Sequence, residues 1–181
     1  MQSIQREIIG HHLTLRLVET ADAQYIWDCR NDPLYNTHLS KASGSVADQQ
    51  AWITRYKDRE AAGSEYYFVI FRNDNNTRCG TVRLYDIDDK KFTWGSWILD
   101  QNKPHKAALD SAIQVYRFGF GVLNAEKSVF DVRKDNVHTL KFHDRFGSQR
   151  THEDDLNVYY ELPKNKFPEI EKTLGTYFKK D

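Results

Sequence analysis

Leucines at every second position from Leu13 to Leu17, with Thr14 and Arg16 between them, mark a strand with one buried face, predicted over 13–19. Thr20 then stands where a helix cap belongs, ahead of a helix predicted over 21–30. Asn31-Asp32-Pro33 ends it, because proline disfavours the helical conformation in the residue before it. The polar, small-residue stretch 34–45 reads as a loop. A second helix is predicted over 46–62, with Trp52, Ile53 and Tyr56 on one face and Gly63 closing it. Three apolar runs follow at 65–71, 79–87 and 91–99, separated by Asn73-Asp74-Asn75-Asn76 and by Asp88-Asp89-Lys90, which is the pattern of an antiparallel meander. Leu109, Ala112, Ile113, Tyr116 and Phe120 recur at helical spacing. A strand over 128–134, a helix over 137–146, a strand over 157–162 and an amphipathic terminal helix over 167–180 complete the chain. With no repeat and no interdomain linker, the pattern predicts one domain over 1–181, of α/β or α+β class, with one sheet.

The stretch from Phe92 to Gly147 carries the most chemistry. Its apolar strand runs through a polar turn into a helix, and a helix N-terminus offers unpaired N–H groups and a favourable dipole to a phosphate. Charge and composition narrow the partners. Twenty-six basic residues balance twenty-six acidic ones, whereas a nucleic-acid binder would show a basic excess. No run is long enough to cross a bilayer, and the first residues lack a signal-peptide core. Cys29 and Cys79 lack metal-like or redox spacing and read as reduced packing residues of a cytoplasmic protein. The histidines, His11-His12 included, show no ligand spacing, so no metal is expected. GxSxG, Walker A and dinucleotide fingerprints are absent from the sequence. Ten Tyr, ten Phe and four Trp exceed what a core needs and point to an aromatic-walled cleft.

In this order the elements resemble the GCN5-related N-acetyltransferase (GNAT) superfamily over residues 11–162, nearest to its RimJ/RimL-type group. That group carries a strand-four glycine, here Gly95, and then an Arg-Gly-x-Gly-x-Ala turn. Counted without gaps, the turn falls on Lys103, Pro104, His105, Lys106, Ala107 and Ala108. A second motif matches at Asn136, Thr139, His143 and Gly147, and WDCRND at 27–32 with AWI at 51–53 resembles the acceptor-side helices. Arg30-Asn31 together with NVHTLKFHDRFG looks most like the amino-sugar acetyltransferases of pseudaminic acid biosynthesis. The resemblance implies a mixed, mostly antiparallel sheet flanked by helices. It also implies acetyl-CoA as co-substrate and an amine acceptor, either a nucleotide-linked amino sugar for surface polysaccharide or a protein N-terminus. A homodimer through the C-terminal strand and tail is implied by the same analogy.

Both turn glycines are replaced, by Pro104 and Lys106, which removes one N–H and the residue best suited to positive φ. Either Lys103, His105 and Lys106 rebuild the phosphate site with side-chain charge, or the site is degenerate and the fold serves as a non-catalytic binding module. The resemblance assigns pantetheine to the backbone of Trp97 and Ile98, with a backbone N–H there positioned for the oxyanion. It puts His143 where relatives carry a thiolate-protonating tyrosine; a helix-face histidine satisfied by a neighbour explains it equally well. Asn136 either contacts CoA or caps its helix. Thr93 occupies the place of a family glutamate, leaving Asp86 and Asp88 as candidate bases acting through water, or else as solvated turn residues. Arg30, Asn31, Tyr35 and His38 are candidates for the acceptor wall, Arg30 for a diphosphate.

Overall fold

The structure, a computed structural model, describes residues 6–39 and 43–180, the side chains of 179 and 180 excepted; residues 40–42 of the predicted loop lie outside it. Eight strands form a sheet in the order β1-β2-β3-β4-β5-β6-β8-β7. They are β1 (Glu7–Ile9), β2 (Leu13–Leu17), β3 (Tyr66–Arg72), β4 (Arg78–Tyr85), β5 (Lys91–Leu99), β6 (Lys127–Arg133), β7 (Gln149–Glu153) and β8 (Asn157–Pro163). Every neighbouring pair is antiparallel except β5 and β6, which run parallel. The fold is thus mixed α/β with a mostly antiparallel sheet.

Strand β3 shows why helices cover both faces. Tyr66, Phe68 and Ile70 point into the main core, while Tyr67 and Val69 point into a second cluster. The second cluster is closed by α1 (Ala23–Asn31) and α3 (Val46–Ala61) through Ile26, Ile53 and Tyr56. The main core is closed by α4 (Ala107–Arg117), α5 (Val137–Phe146) and α6 (Phe167–Gly175) through Ile113, Tyr116, Leu140, Phe146 and Phe167. Asp110, buried in the first turn of α4, accepts the backbone N–H groups of His11, His12 and Leu13 at 3.2, 2.7 and 3.0 Å, which clamps the start of β2 to this helix.

Several boundaries differ from the sequence pattern for local reasons. The first helix opens with a 3-10 turn over Thr20–Asp22, capped reciprocally by Glu19 and Asp22, so Thr20 is not the cap. Part of the predicted loop is helical: α2 (Pro33–Asn36) follows Asp32, whose carboxylate accepts from the Leu34 N–H at 2.8 Å. Strand β1 is three residues long and β7 is polar and exposed throughout, so neither carries an alternating signal. The terminal helix stops at Gly175 and continues as a 3-10 turn over Thr176–Lys180. No helix among the described residues is long and apolar enough to cross a membrane.

Candidate active site

Strands β5 and β6 meet only at Lys91 opposite Lys127 and Phe92 opposite Ser128. Beyond that point β5 continues beside β4 alone while β6 continues beside β8, so the sheet splits into a wedge. Within the split, β5 carries a bulge. Thr81 pairs with Ile98 and Arg83 with Gly95, so Ser96 and Trp97 together oppose a single residue of β4. Ser96 takes up the distortion at φ +47°, and the Thr81 hydroxyl donates to its carbonyl at 3.1 Å. Past Phe92 the edge of β5 turned away from β4 has no strand beside it, and that unpaired edge borders the opening. Gly80 permits the close approach of β4, since a Cβ there would lie 2.1 Å from the Ile98 carbonyl oxygen.

Two connected hollows occupy the split. The larger, about 440 Å³, is walled by Trp94–Trp97 of β5, Phe130–Arg133 of β6, Asn136, Thr139 and His143 at α5, Asn157 of β8 and Tyr85 of β4, with Tyr35 and His38 across its mouth. The second, a groove of about 290 Å³, shares Tyr35, Trp97, Asn136 and Thr139 with the first. It continues past Ile98 and Phe142 to Lys103 and Ala108 at the start of α4. Beyond Phe142 and His138, a further hollow of about 200 Å³ has an apolar floor of Leu109, Phe146 and Leu174 and a rim carrying Lys141 and Arg145.

The turn between β5 and α4 keeps its shape without glycine. Lys106, in the place of the second glycine, adopts φ +62° directly, at a cost of ~1 kcal/mol for an L-residue. Its ammonium donates to the Tyr177 carbonyl at 2.5 Å. Asp100, buried at the start of the turn, accepts the Asn102 N–H at 2.7 Å and the Tyr25 hydroxyl at 2.7 Å. The Tyr35 hydroxyl accepts from the Gln101 N–H at 3.0 Å, and Arg72 donates to the Asn102 carbonyl at 3.1 Å. With the Lys103 N–H bonded to the Asp100 carbonyl, the early amides of the turn are spent on the protein. Lys103 and Ala108, in the first turn of α4, line the groove at this end.

The candidate residues separate clearly. Trp97, Ile98, Lys103, Ala108 and Asn136 line the groove, and Trp97 and Asn136 line the cavity as well. The indole of Trp97 is half-buried and donates to the Ser111 hydroxyl at 3.2 Å. His105 is exposed and lines neither hollow, Lys106 faces the C-terminal turn, and Ala107 is buried with its N–H bonded to Pro104. Asn136 caps α5, accepting the Thr139 N–H at 3.3 Å. Tyr35 and His38 stand at the cavity, but Arg30 and Asn31 do not line it. Arg30 lies beside the buried Tyr67 phenol, and the Asn31 amide donates back to Trp27 at 2.8 Å. Asp86 is exposed at φ +49°, and Asp88 accepts the Lys90 and Lys91 N–H groups in its turn at 2.8 and 2.9 Å. Neither aspartate reaches the cavity lining, which corrects the expectation of a base there.

His143 does line the cavity, in an apolar box of Trp94, Trp97, Phe130, Phe142 and Tyr160. Burial pushes its imidazole down to about 3, against a small opposing pull from Asp144. It is therefore neutral at physiological pH and lacks the imidazolium proton that the expected acid role needs. The polar lining residues that sequence reasoning missed include Tyr85, Ser96, Asp131, Arg133 and Asn157. Burial, then Asp154, raises the Asp131 carboxyl above its ordinary range, and burial raises Tyr85. No group of three or more metal-ligating side chains occurs among the described residues.

The profile of the acetyltransferase (GNAT) domain family matches residues 12–149. The chain belongs to the GNAT acetyltransferase family. Its structure is similar to apo FdhC, described as a nucleotide-linked sugar GNAT, with 44% identity over 95% of this chain and 98% of that one and a TM-score of 0.89. The same fold occurs in a putative ribosomal-protein-serine acetyltransferase from Vibrio cholerae at 18% identity, 87% and 97% coverage and a TM-score of 0.72. It occurs again in ribosomal-protein-S5-alanine acetyltransferase from Vibrio fischeri at 14% identity, 90% and 99% coverage and a TM-score of 0.78. No curated protein matches the chain. As a GNAT acetyltransferase it uses acetyl-CoA. The groove fits that molecule in kind: an open strand edge with a bulge for the thioester arm, and Lys103 with the α4 terminus at the anionic end.

Proposed function

We propose that this GNAT enzyme transfers an acetyl group from acetyl-CoA to the primary amine of a nucleotide-linked amino sugar. The carrying observation is 44% identity over nearly the whole length to a nucleotide-linked sugar GNAT. The likeness to ribosomal-protein acetyltransferases, at 18% and 14% identity, concerns the fold alone. In this reading the groove along β5 takes the pantetheine arm beside Trp97 and Ile98, Lys103 faces the pyrophosphate, and Lys141 and Arg145 face the nucleotide end. The Trp97 backbone at the bulge offers an N–H to the oxyanion that develops on the thioester carbonyl. The acceptor enters the larger cavity from the Tyr35 side, where polar Tyr85, Asp131, Arg133 and Asn157 suit a sugar and its phosphates. Neutral His143 donates or accepts a hydrogen bond within the cavity without delivering a proton at neutral pH. In this reading the enzyme works in the cytoplasm.

The test is product analysis by mass spectrometry with acetyl-CoA and three acceptor sets: nucleotide-linked amino sugars, the same sugars without nucleotide, and ribosomal-protein N-terminal peptides. Acetylation of a nucleotide-linked sugar, far above the free sugar, is expected. Acetylation of the peptides alone would replace this reading with N-terminal protein acetylation. Acetyl-CoA binding without turnover on any amine would favour a binding module.

A further inference from the structure

At the mouth of the larger cavity, His38 faces Asp135 with Nδ1 3.2 Å from the carboxylate Oδ1. The two come from different walls. His38 follows α2, next to the cavity mouth, and Asp135 sits in the turn between β6 and α5, next to Asn136, one of the residues that line both hollows. The His38 side chain is 31% exposed and that of Asp135 67% exposed, so the pair bridges the opening from solvent inward. Their approach is an ion-pair distance without the alignment of a full hydrogen bond, a looseness common in catalytic pairs before substrate binds.

We propose that His38 is the general base that deprotonates the acceptor ammonium and that Asp135 positions its ring. The proposal rests on amine acetylation in this cavity but not on the acceptor being a sugar. An imidazole with one nitrogen held by a carboxylate presents the other to substrate, the arrangement by which a base is oriented on many folds. The alternatives in the cavity are less suited. His143 is boxed among aromatic rings at the inner end, and Asp131 stands on the β6 wall with no side chain orienting it among the described contacts. In the step itself, His38 takes one proton from the ammonium and leaves a neutral amine. The amine nitrogen bonds to the thioester carbon, the carbon–sulfur bond breaks, and the second proton of that nitrogen goes to the departing thiolate. His38 then releases its proton to solvent, so one amide, one thiol and one proton result.

The experiment measures kcat, KM and acetyl-CoA affinity for wild type, His38→Ala, Asp135→Asn and the double variant, on whichever amine the wild type acetylates best. His38→Ala should lose roughly 100-fold or more in kcat, the range for a positioned base, with acetyl-CoA affinity unchanged. Added imidazole should restore part of it. Asp135→Asn should lose about tenfold, and the double variant should be no worse than His38→Ala, because Asp135 acts through His38. A His38→Ala enzyme within about threefold of wild type, no rescue by imidazole, losses that multiply, or lost acetyl-CoA binding would each overturn the proposal. Wild-type turnover on amines other than nucleotide-linked sugars would overturn only the acceptor assignment. A wild type that acetylates no amine would overturn both.

Discussion

Five aromatic rings surround the His143 imidazole, the nearest being Phe130 at 4.4 Å between centroids. That box has a consequence for stability. The folded value lies near 3, below the ordinary 6.5, so above about pH 6.5 neither state carries the proton. Below it the unfolded chain binds a proton that the folded protein refuses, and this residue costs up to ~1.4 kcal/mol per pH unit as pH falls towards 3. Urea titrations should therefore find His143→Leu less sensitive to acidification than wild type between about pH 6.5 and pH 4.5; parallel losses would mean His143 is not held neutral. Gly80 leaves no room for a Cβ between β4 and β5. Gly80→Ala should destabilise by roughly 2–3 kcal/mol in the same assay, because backbone rather than a flexible side chain must move. The residue type was readable from the sequence at His143 but its environment was not, since the rings arrive from β5, β6, α5 and β8.

Among elements, helix α5 was fully legible because its ends are written locally, Asn136 as cap and Gly147 at φ +108° as stop. The meander was legible from its turns. The β5–α4 turn was legible as a departure from the family pattern, yet its solution was not: a lysine in the left-handed conformation, the turn's own Asp100, and a frame of Tyr25, Tyr35 and Arg72 drawn from three other places. Asp100→Ala removes both the Asn102 N–H acceptor and the Tyr25 partner, and it should weaken acetyl-CoA binding about tenfold or more by calorimetric titration. Tyr35→Phe loses one hydrogen bond to Gln101 and should weaken it only a few-fold, in keeping with ~1 kcal/mol. Unchanged affinity in Asp100→Ala would mean the turn does not meet the ligand. The Ser96 bulge had no sequence signal, since serine at positive φ carries none of the marks of glycine.

Over the whole molecule, the sheet divides at one place, the junction where β5 and β6 touch for two residues and then part. No sequence pattern announces it, because both strands read as normal apolar runs and the contact is set by what packs above and below. The split is what the proposed chemistry rests on: it leaves the edge of β5 open, borders the groove that runs to Lys103, and adjoins the cavity lined by Tyr35 and His38. The most direct test is amide hydrogen exchange with and without acetyl-CoA. The account predicts added protection over 95–99 of β5 and over the first turn of α4, with β7 unchanged. Protection confined elsewhere, with β5 exchanging as it does in the free protein, would contradict it.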